Sequence, residues 1–198
     1  PGYGATVGAA LVRDPRVSKI SFTGSPVVGR QIMHAAADNV TRVGLELGGK
    51  SANIVFADAD LEGAVRAAAS GIFFNAGQVC SAGSRILVAD AVHDAFVERL
   101  ARAASAIRLG DPLDATTRMG PVISDKQMNR VLDYVGAGRQ EGAALVAGGE
   151  RAAGRGYYVA PTVFADVAPG MRIAREEIFG PVAAVMRFRD EDEAVAIA

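Results

Sequence analysis

The chain has 198 residues, of which 50% are hydrophobic and 22% charged, a balance typical of a globular fold of one or two domains rather than a disordered or fibrous chain. Its formal net charge of -1 shows no excess of basic residues of the kind that binds nucleic acid. No apolar run reaches the roughly 20 residues that span a bilayer. A single cysteine and the lack of an export signal predict a reducing, cytoplasmic location.

Strand-like and helix-like runs alternate from the start of the chain. The first residues, Pro1 to Gly4, contain neither an initiator methionine nor a signal peptide, so we expect a cut before them. The predicted strands of the first half are, in order, VSKISF, RVGLEL, SANIVF and RILVA. The predicted helices between them run from Pro26 to about Asp38 and from Asp60 to about Phe74.

The second half continues this alternation with two longer helices and three strands. The helices are expected near residues 91–107 and 125–141, and the strands at AALVA, YYVAPTVF and VAAVMRF. The last eight residues, EDEAVAIA, have the apolar spacing of a helix without a terminating cap, which predicts a second cut. Strands that alternate with helices in this way predict an α/β fold with parallel strands.

The stretch ISFTGSPVVGRQI has the pattern of a strand that leads directly into a helix. The strand ends at Phe22 and passes through Gly24 to Ser25 as N-cap, with Pro26 in the first turn. Unpaired N–H groups at such a terminus would suit a phosphate. Ordinary helix capping explains the same residues, and the pattern by itself favours it.

Two stretches carry glutamates, one at the end of a predicted strand and the other before a Gly-Pro turn. In LELGGKSAN, Glu46 lies between Leu45 and Leu47 at the end of a strand, where a partly desolvated carboxylate would suit a general base. A salt-bridged structural glutamate explains the position equally well. In REEIFGPV, Glu176 and Glu177 precede an aromatic residue and a Gly-Pro turn, although paired surface carboxylates are usually only solvated.

The stretch FFNAGQVCSAGSR contains the only cysteine, Cys80, among small residues. A lone thiol cannot form an intrachain disulfide, so Cys80 is either an incidental small residue or a reactive one. His34 and His93 are isolated on helical segments, show no spacing of a metal pair or a Cys-His dyad, and are interpreted as helix-surface residues. We therefore expect no metal site and no histidine base for Cys80.

Four motifs together resemble the aldehyde dehydrogenase superfamily in content, order and separation. They are FTGS at 22–25, LELGGKSAN at 45–53, FFNAGQVCSAGSR at 73–85 and EEIFGPV at 176–182. Glu46 lies 34 residues before Cys80, and Glu177 lies 97 residues after it, as the base, nucleophile and ribose-binding glutamate of that family do. The resemblance spans essentially the whole chain, whereas family members are more than twice as long.

The resemblance implies a two-part α/β fold and two catalytic residues. Residues 1–47 would be the C-terminal part of a Rossmann-like, parallel-sheet NAD-binding domain. Residues 48–198 would be most of an α/β catalytic domain, incomplete at its C-terminus. In such an enzyme Cys80 is the thiol that attacks the aldehyde, and Glu46 is the base that activates water against the resulting thioester.

The resemblance also implies a cofactor site for NAD, with NADP as the alternative because the segment that discriminates them lies upstream. Gly24, Ser25 and Gly29 would contact the pyrophosphate, and Leu47 also falls among the cofactor contacts. Glu177 would hold the nicotinamide ribose, with Phe179 beside the ring. Gln127 and Arg130 fall where the family places adenine-ribose contacts, although the second position is commonly lysine there.

Departures from the family pattern leave two other functions open. The oxyanion asparagine and the adenosine-side lysine lie upstream of Pro1, and part of the substrate tunnel and the oligomerisation sheet lie downstream. The alternatives are a non-catalytic remnant that assembles with a partner and a cofactor-independent thiol esterase. Retention of Glu46 favours hydrolysis over transfer to coenzyme A, and the full-length protein would be a homo-oligomer, a dimer or tetramer.

Overall fold

The computed structural model describes residues 1–152 and 154–198, which form two compact units, Pro1–Gly48 and Gly49–Ala198. Each unit contains parallel strands connected through helices, so the α/β class predicted from the alternation is confirmed. The roles expected for residues 1–47 and 48–198, cofactor binding and thiol chemistry, stay predictions.

The first unit is a small βαβ arrangement behind an N-terminal helical segment. A π-helical turn, Gly4–Gly8, continues directly into the first α-helix. The elements are α1 (Ala9–Arg13), β1 (Lys19–Gly24), α2 (Pro26–Asp38) and β2 (Arg42–Leu47). Strands β1 and β2 are parallel, with Lys19 opposite Arg42 and Gly24 opposite Leu47, so their carboxyl ends lie side by side.

Helix α2 begins and ends where its sequence predicts. The Ser25 hydroxyl accepts a hydrogen bond from the backbone N–H of Val28 at 3.4 Å, and Pro26 occupies the first turn. Its buried residues are Gly29, Ile32 and Ala36, which recur at helical spacing and form its inner face.

The second unit is built on a five-stranded sheet with strand order β3-β4-β7-β6-β5. Its strands are β3 (Ala52–Val55), β4 (Arg85–Ala89), β5 (Ala144–Ala147), β6 (Thr162–Ala165) and β7 (Val182–Phe188). Its α-helices are α3 (Leu61–Phe73), α4 (Asp90–Ser105), α5 (Asp125–Gln140), α6 (Arg172–Arg175) and α7 (Glu191–Ile197). Strand β4 is buried on both faces, because Ile86 and Val88 belong to the main core whereas Leu87 packs in a smaller cluster with Phe188.

Two sequence predictions about strands are wrong in detail. The stretch YYVAPTVF was expected to be one strand, but only Thr162 to Ala165 are strand, because Pro161 lacks a backbone N–H to continue a ladder. Before it, Val159 forms only an isolated bridge with Arg151. The prediction of parallel strands is also wrong for edge strand β5, which pairs antiparallel with β6. The remaining strand pairs of this sheet are parallel.

Candidate active site

Three loops of the second unit meet because the strands that follow them are neighbours. Arg85, the first residue of β4, pairs with Ala52 of β3 on one side and with Ala184 of β7 on the other. All three strands run parallel, so the segments that precede them lie at the same edge of the sheet. These segments are residues 49–51, 78–84 and 176–181.

The loop before β4 presents the thiol. Ala82 donates its backbone N–H to the carbonyl of Val79 at 3.1 Å, which folds the intervening residues into a tight turn. Cys80 lies in this turn with its side chain exposed and unpaired. Among the backbone bonds of the described residues, the N–H of Cys80 donates to no carbonyl. The turn therefore offers a reachable sulfur beside an available N–H donor.

The residues that lead into this turn have an unusual backbone. Asn75, Ala76 and Gly77 have φ values of 50°, 54° and 71°, all in the left-handed region. A residue other than glycine in that region costs roughly 1–3 kcal/mol and persists only where its surroundings enforce it. Here the Asn75 amide donates to the Gln78 carbonyl at 3.2 Å, and the Gln78 amide donates back to the Asn75 carbonyl at 3.3 Å.

The loop before β7 forms the opposite wall. Phe179 is 38% exposed and has a left-handed φ of 58°. Gly77 packs against the backbone of Gly180 so closely that a side chain on Gly77 would overlap the Gly180 carbonyl. The two left-handed segments therefore contact each other through glycine, which leaves no room for a Cβ.

These two loops enclose a small cleft at the sheet edge. Its lining includes Cys80, Glu177 and Phe179, together with Gly49 from the loop before β3. Glu177 is half-buried, and its carboxylate accepts no hydrogen bond from the described residues. The structure thus brings together three predicted site residues that lie up to 99 positions apart in the sequence.

Gln127 and Arg130 lie on the first turns of α5 and contact the same wall. The Gln127 side-chain amide donates to the carbonyl oxygens of Ile178 at 3.1 Å and Phe179 at 2.7 Å. The Arg130 guanidinium donates to the carbonyl of Glu177 at 2.8 Å. Their contact with an adenine ribose stays a prediction, and in this structure the Gln127 amide nitrogen and one Arg130 guanidinium nitrogen donate to backbone carbonyls of the chain.

Lys50, in the segment before β3, has a burial that sequence reasoning missed. Its ammonium group is buried and has no hydrogen-bond partner among the described residues. Burial, reinforced by the positive charge of Arg85, lowers the Lys50 pKa from its usual 10.5 to about 8, against the opposing influence of Glu177 and Glu176. A lysine at a strand entrance usually indicates a solvated charge, so only the tertiary packing reveals this one.

The first unit gathers its predicted cofactor residues at the carboxyl ends of β1 and β2. Gly24 is the last residue of β1, and Ser25 caps the helix that follows. Gly29 is buried, and a Cβ there would lie 2.9 Å from a methyl carbon of Leu47. Close packing of α2 on β2 therefore explains the glycine at position 29, whatever further contact its backbone makes.

Glu46 and Leu47 end β2 opposite Thr23 and Gly24. Both side chains are exposed, so the partial desolvation expected for Glu46 is wrong for this chain. The physical reason is that β2 pairs within its unit only with β1, and flanking leucines on a strand lie on the face opposite to the residue between them. The role of Glu46 as a base stays a prediction.

His93 corrects another expectation, because its side chain is 1% exposed rather than on the helix surface. Its Nδ1 lies 3.0 Å from an Asp94 carboxylate oxygen. The signal was present in the sequence, since His93 shares the spacing of Phe96, Val97 and Leu100, which form the buried face of α4.

The described residues contain neither a candidate metal cluster nor a candidate membrane-spanning helix. Across residues 1–152 and 154–198, no group of three or more His, Cys, Asp or Glu residues could hold a metal ion. No helix in the described part of the chain is both long and apolar enough to cross a membrane.

Comparison with known proteins finds one family over the whole chain. The sequence model of the Aldehyde dehydrogenase family matches residues 1–198. A betaine aldehyde dehydrogenase of Cereibacter sphaeroides (strain ATCC 17029) is 55% identical over 195 residues, which are 98% of this chain and 40% of that protein. Retinal dehydrogenase 2 of Mus musculus is 50% identical over 98% of this chain and 38% of its own length.

Solved structures agree with the sequence comparison. The NAD+ complex of an aldehyde dehydrogenase from Bacillus cereus superposes with a TM-score of 0.98 at 47% identity. The match covers 100% of this chain and 40% of that one. The chain therefore spans about two fifths of the length of the relatives it matches.

Proposed function

Because the chain belongs to the aldehyde dehydrogenase family, we propose that it carries the reactive thiol of an enzyme that oxidises an aldehyde to a carboxylic acid with NAD. The observation that supports this most directly is the cleft in which exposed Cys80 lies with Glu177 and Phe179. A nucleophile must be reachable, and the small residues of its turn leave the sulfur open to a substrate.

The chemistry begins at Cys80. Its thiolate attacks the carbonyl carbon of the aldehyde, a C–S bond forms, and the C=O π electrons move to oxygen to give a thiohemiacetal. The N–H of Cys80, which donates to no backbone carbonyl, would stabilise that oxygen. Loss of hydride from the same carbon leaves a thioester on Cys80. Bound NAD would supply the acceptor for this hydride.

Glu46 completes the reaction in this proposal. Its carboxylate takes a proton from water, the resulting hydroxide attacks the thioester carbon, and the C–S bond breaks. Cys80 leaves as the thiolate, and the product is the carboxylic acid. An exposed carboxylate at a strand end is free to exchange its proton with solvent after each turnover.

The residues present fit two parts of NAD, the pyrophosphate and the nicotinamide riboside. Helix α2 begins at the carboxyl end of a parallel strand, where a helix N-terminus favours the negative charge of a pyrophosphate beside Gly24 and Ser25. The carboxylate of Glu177 has unused acceptor capacity, which suits the hydroxyl groups of a ribose. Phe179 would present its exposed ring beside the nicotinamide, and Leu47 its exposed side chain beside the cofactor.

Betaine aldehyde is the first substrate to test, because the betaine aldehyde dehydrogenases of Cereibacter sphaeroides are 54–55% identical to this chain. Retinal and a short aliphatic aldehyde complete the panel, since a retinal dehydrogenase is 50% identical. Comparing NAD with NADP in the same assay identifies the hydride acceptor.

The test is NADH formation by the full-length protein that contains this chain, with Cys80→Ser and Glu46→Gln beside the wild type. We expect Cys80→Ser to form no NADH. Glu46→Gln should retain a rapid burst of NADH but lose steady-state turnover by on the order of 10²-fold or more, as for a lost general base. Glu98→Gln, an exposed carboxylate of α4, is the matched control and should behave as wild type.

Other results would contradict the proposal or favour one of its two alternatives. Unchanged NADH formation by Cys80→Ser would rule out the thiol mechanism. Ester hydrolysis by wild type without NAD, in the absence of any NADH formation, would favour the thiol esterase. Inactivity in both assays with a stable partner complex would favour the non-catalytic remnant.

The proposal extends to assembly and location. We expect the full-length protein to form a homo-oligomer in the cytoplasm, and the single unpaired thiol, which a reducing compartment would keep reduced, supports the location. Sedimentation of the purified protein and fractionation of its host cells would check both.

A further inference from the structure

The segment from Glu176 to Gly180 carries Glu177 and Phe179 in a backbone conformation that needs external support. Phe179 has a φ of 58°, and an aromatic residue in the left-handed region is strained relative to glycine. Such a residue persists only where neighbouring groups determine its conformation. The side-chain donors that do so come from α5 and from Arg172, in addition to the close contact of Gly77 with the Gly180 backbone.

Helix α5 holds three successive carbonyl groups of this segment. Gln127 donates from one side-chain nitrogen to the carbonyls of Ile178 and Phe179, on both sides of the Phe179 φ rotation. Arg130, one helical turn later, donates to the carbonyl of Glu177 at 2.8 Å. Residues three apart on a helix share a face, so the two side chains act on neighbouring peptide groups.

Tyr134 extends the same stripe by one further turn and holds the start of the segment. Its hydroxyl donates to a carboxylate oxygen of Glu176 at 2.7 Å, and Arg172 donates to the two oxygens at 3.1 and 3.2 Å. The Tyr134 ring also lies 5.5 Å from the guanidinium of Arg130 and 5.0 Å from that of Arg172. Arg172 and then Tyr134 lower the pKa of Glu176, so this carboxylate is ionised at neutral pH.

The far end of the segment is held by steric contact. Gly180 lies against Val131 of α5 so closely that a Cβ would overlap the valine side chain. The segment is therefore fixed at its start by Glu176, along its length by three carbonyls, and at its end by packing.

We propose that Gln127, Arg130 and Tyr134 form a clamp on α5 that sets the backbone of residues 176–179 and thereby aims Glu177 and Phe179 into the Cys80 cleft. They are positioning residues, because the hydrogen bonds that they donate act on backbone carbonyls and on the Glu176 carboxylate of this segment. This inference rests on the proposed function, and it assigns Gln127 and Arg130 a role different from the adenine-ribose contact that the family resemblance implies.

The two roles differ in which half of NAD they affect. A residue that touches the adenine ribose contributes to binding of AMP as well as NAD. A residue that positions Glu177 and Phe179 contributes only when the nicotinamide ribose and ring are present. Binding of AMP and NAD to the same variants therefore separates the two roles without any measurement of catalysis.

The experiment uses the full-length protein with Gln127→Ala and, as control, Gln140→Ala at the exposed C-terminal end of the same helix. Calorimetry should show NAD affinity reduced on the order of 10-fold for Gln127→Ala, as expected when about 1.4 kcal/mol of hydrogen bonding is lost. AMP affinity should be unchanged, and Gln140→Ala should bind both ligands as wild type does. An equal loss of AMP and NAD affinity, or no loss of either, would overturn the clamp.

Amide hydrogen exchange tests the clamp independently of the proposed function. Exchange of residues 176–180 in the unliganded protein should accelerate in Gln127→Ala and in the milder Tyr134→Phe, which removes only the hydroxyl. Unchanged exchange there would contradict the clamp even if NAD binding changed. If wild type does not bind NAD, the proposed function fails while the exchange result still decides whether the clamp exists.

A conservative substitution distinguishes positioning from general structural support. Arg130→Lys keeps a cationic donor that can reach the Glu177 carbonyl, so it should retain most of the NAD affinity that Arg130→Ala loses. Equal losses in the two variants would show that donation to the Glu177 carbonyl does not hold the segment.

Discussion

The two units of the chain offer their candidate residues on very different scaffolds. In Pro1–Gly48 the buried residues are Gly29, Ile32 and Ala36, all on α2, and both faces of the two-stranded sheet are at least partly exposed. In Gly49–Ala198 the central strand β7 is buried along its length except at Arg187, and the main core connects the sheet to α3, α4, α5 and α6. The thiol cleft therefore stands on a scaffold with its own core, whereas Ser25 and Glu46 stand on one with little.

The largest effect we expect concerns the folding of each unit alone. Residues 49–198 should unfold in one cooperative thermal transition, because their core is buried within the unit. Residues 1–48 should show no cooperative transition, since a two-stranded sheet with one packed helix buries too little apolar surface. Circular dichroism of the two expressed segments measures both. A cooperative melt of residues 1–48 would show that the first unit also has a core sufficient to fold by itself.

Within the second unit, glycines should differ sharply in what they tolerate. Gly77→Ala should destabilise by about 3 kcal/mol or more, because φ is 71° and the added Cβ would overlap the Gly180 backbone. Gly136→Ala, in the interior of α5 with open space around it, should stabilise by roughly 0.5–1 kcal/mol. Urea unfolding of both variants checks the pair. Similar losses in the two would mean that the contact between Gly77 and Gly180 does not constrain the site.

Lys50 should make the stability of its unit depend on alkaline pH. The folded pKa is about 8 and the usual value is 10.5, so between these values the unfolded chain binds more protons than the folded one. Stability should therefore rise from pH 8 to pH 10.5, by up to about 3 kcal/mol at about 1.4 kcal/mol per pKa unit.

The substitution Lys50→Met should remove this rise and stabilise the protein at neutral pH, because it removes a buried ammonium without a partner. Urea unfolding as a function of pH, taken as the difference between wild type and variant, isolates Lys50 from other alkaline groups. Parallel pH profiles for the two proteins would show that Lys50 keeps its proton on folding.

The smallest effect compares two equivalent helix caps. Ser25 accepts from the N–H of Val28 in α2, and Ser124 accepts from the N–H of Gln127 in α5. Replacing either serine by alanine should cost about 1 kcal/mol. Amide exchange should accelerate throughout Pro1–Gly48 for Ser25→Ala, but only in the first turn of α5 for Ser124→Ala. An equally local response in both would remove the distinction between the units.

The sequence by itself determined the elements whose start, period and end are encoded locally. Helix α2 was predicted with its observed start and approximate end, because a capping serine, a proline in the first turn and an apolar period of 3.6 are all properties of a few neighbouring residues. Strands β2, β4 and β7 were predicted with their observed limits for the same reason. The family motifs, with Glu46 and Glu177 at fixed separations from Cys80, could also be recognised from the sequence alone.

Tertiary structure decided everything that depends on which segments become neighbours. The antiparallel direction of β5 follows from strand pairing, which no local pattern encodes. Cys80 and Glu177 line one cleft because β4 and β7 pair in parallel, and Gln127 contacts Phe179 because α5 packs along the same loop. The burial of Lys50 has the same origin, since desolvation is set by the atoms packed around a group and not by its neighbours in sequence.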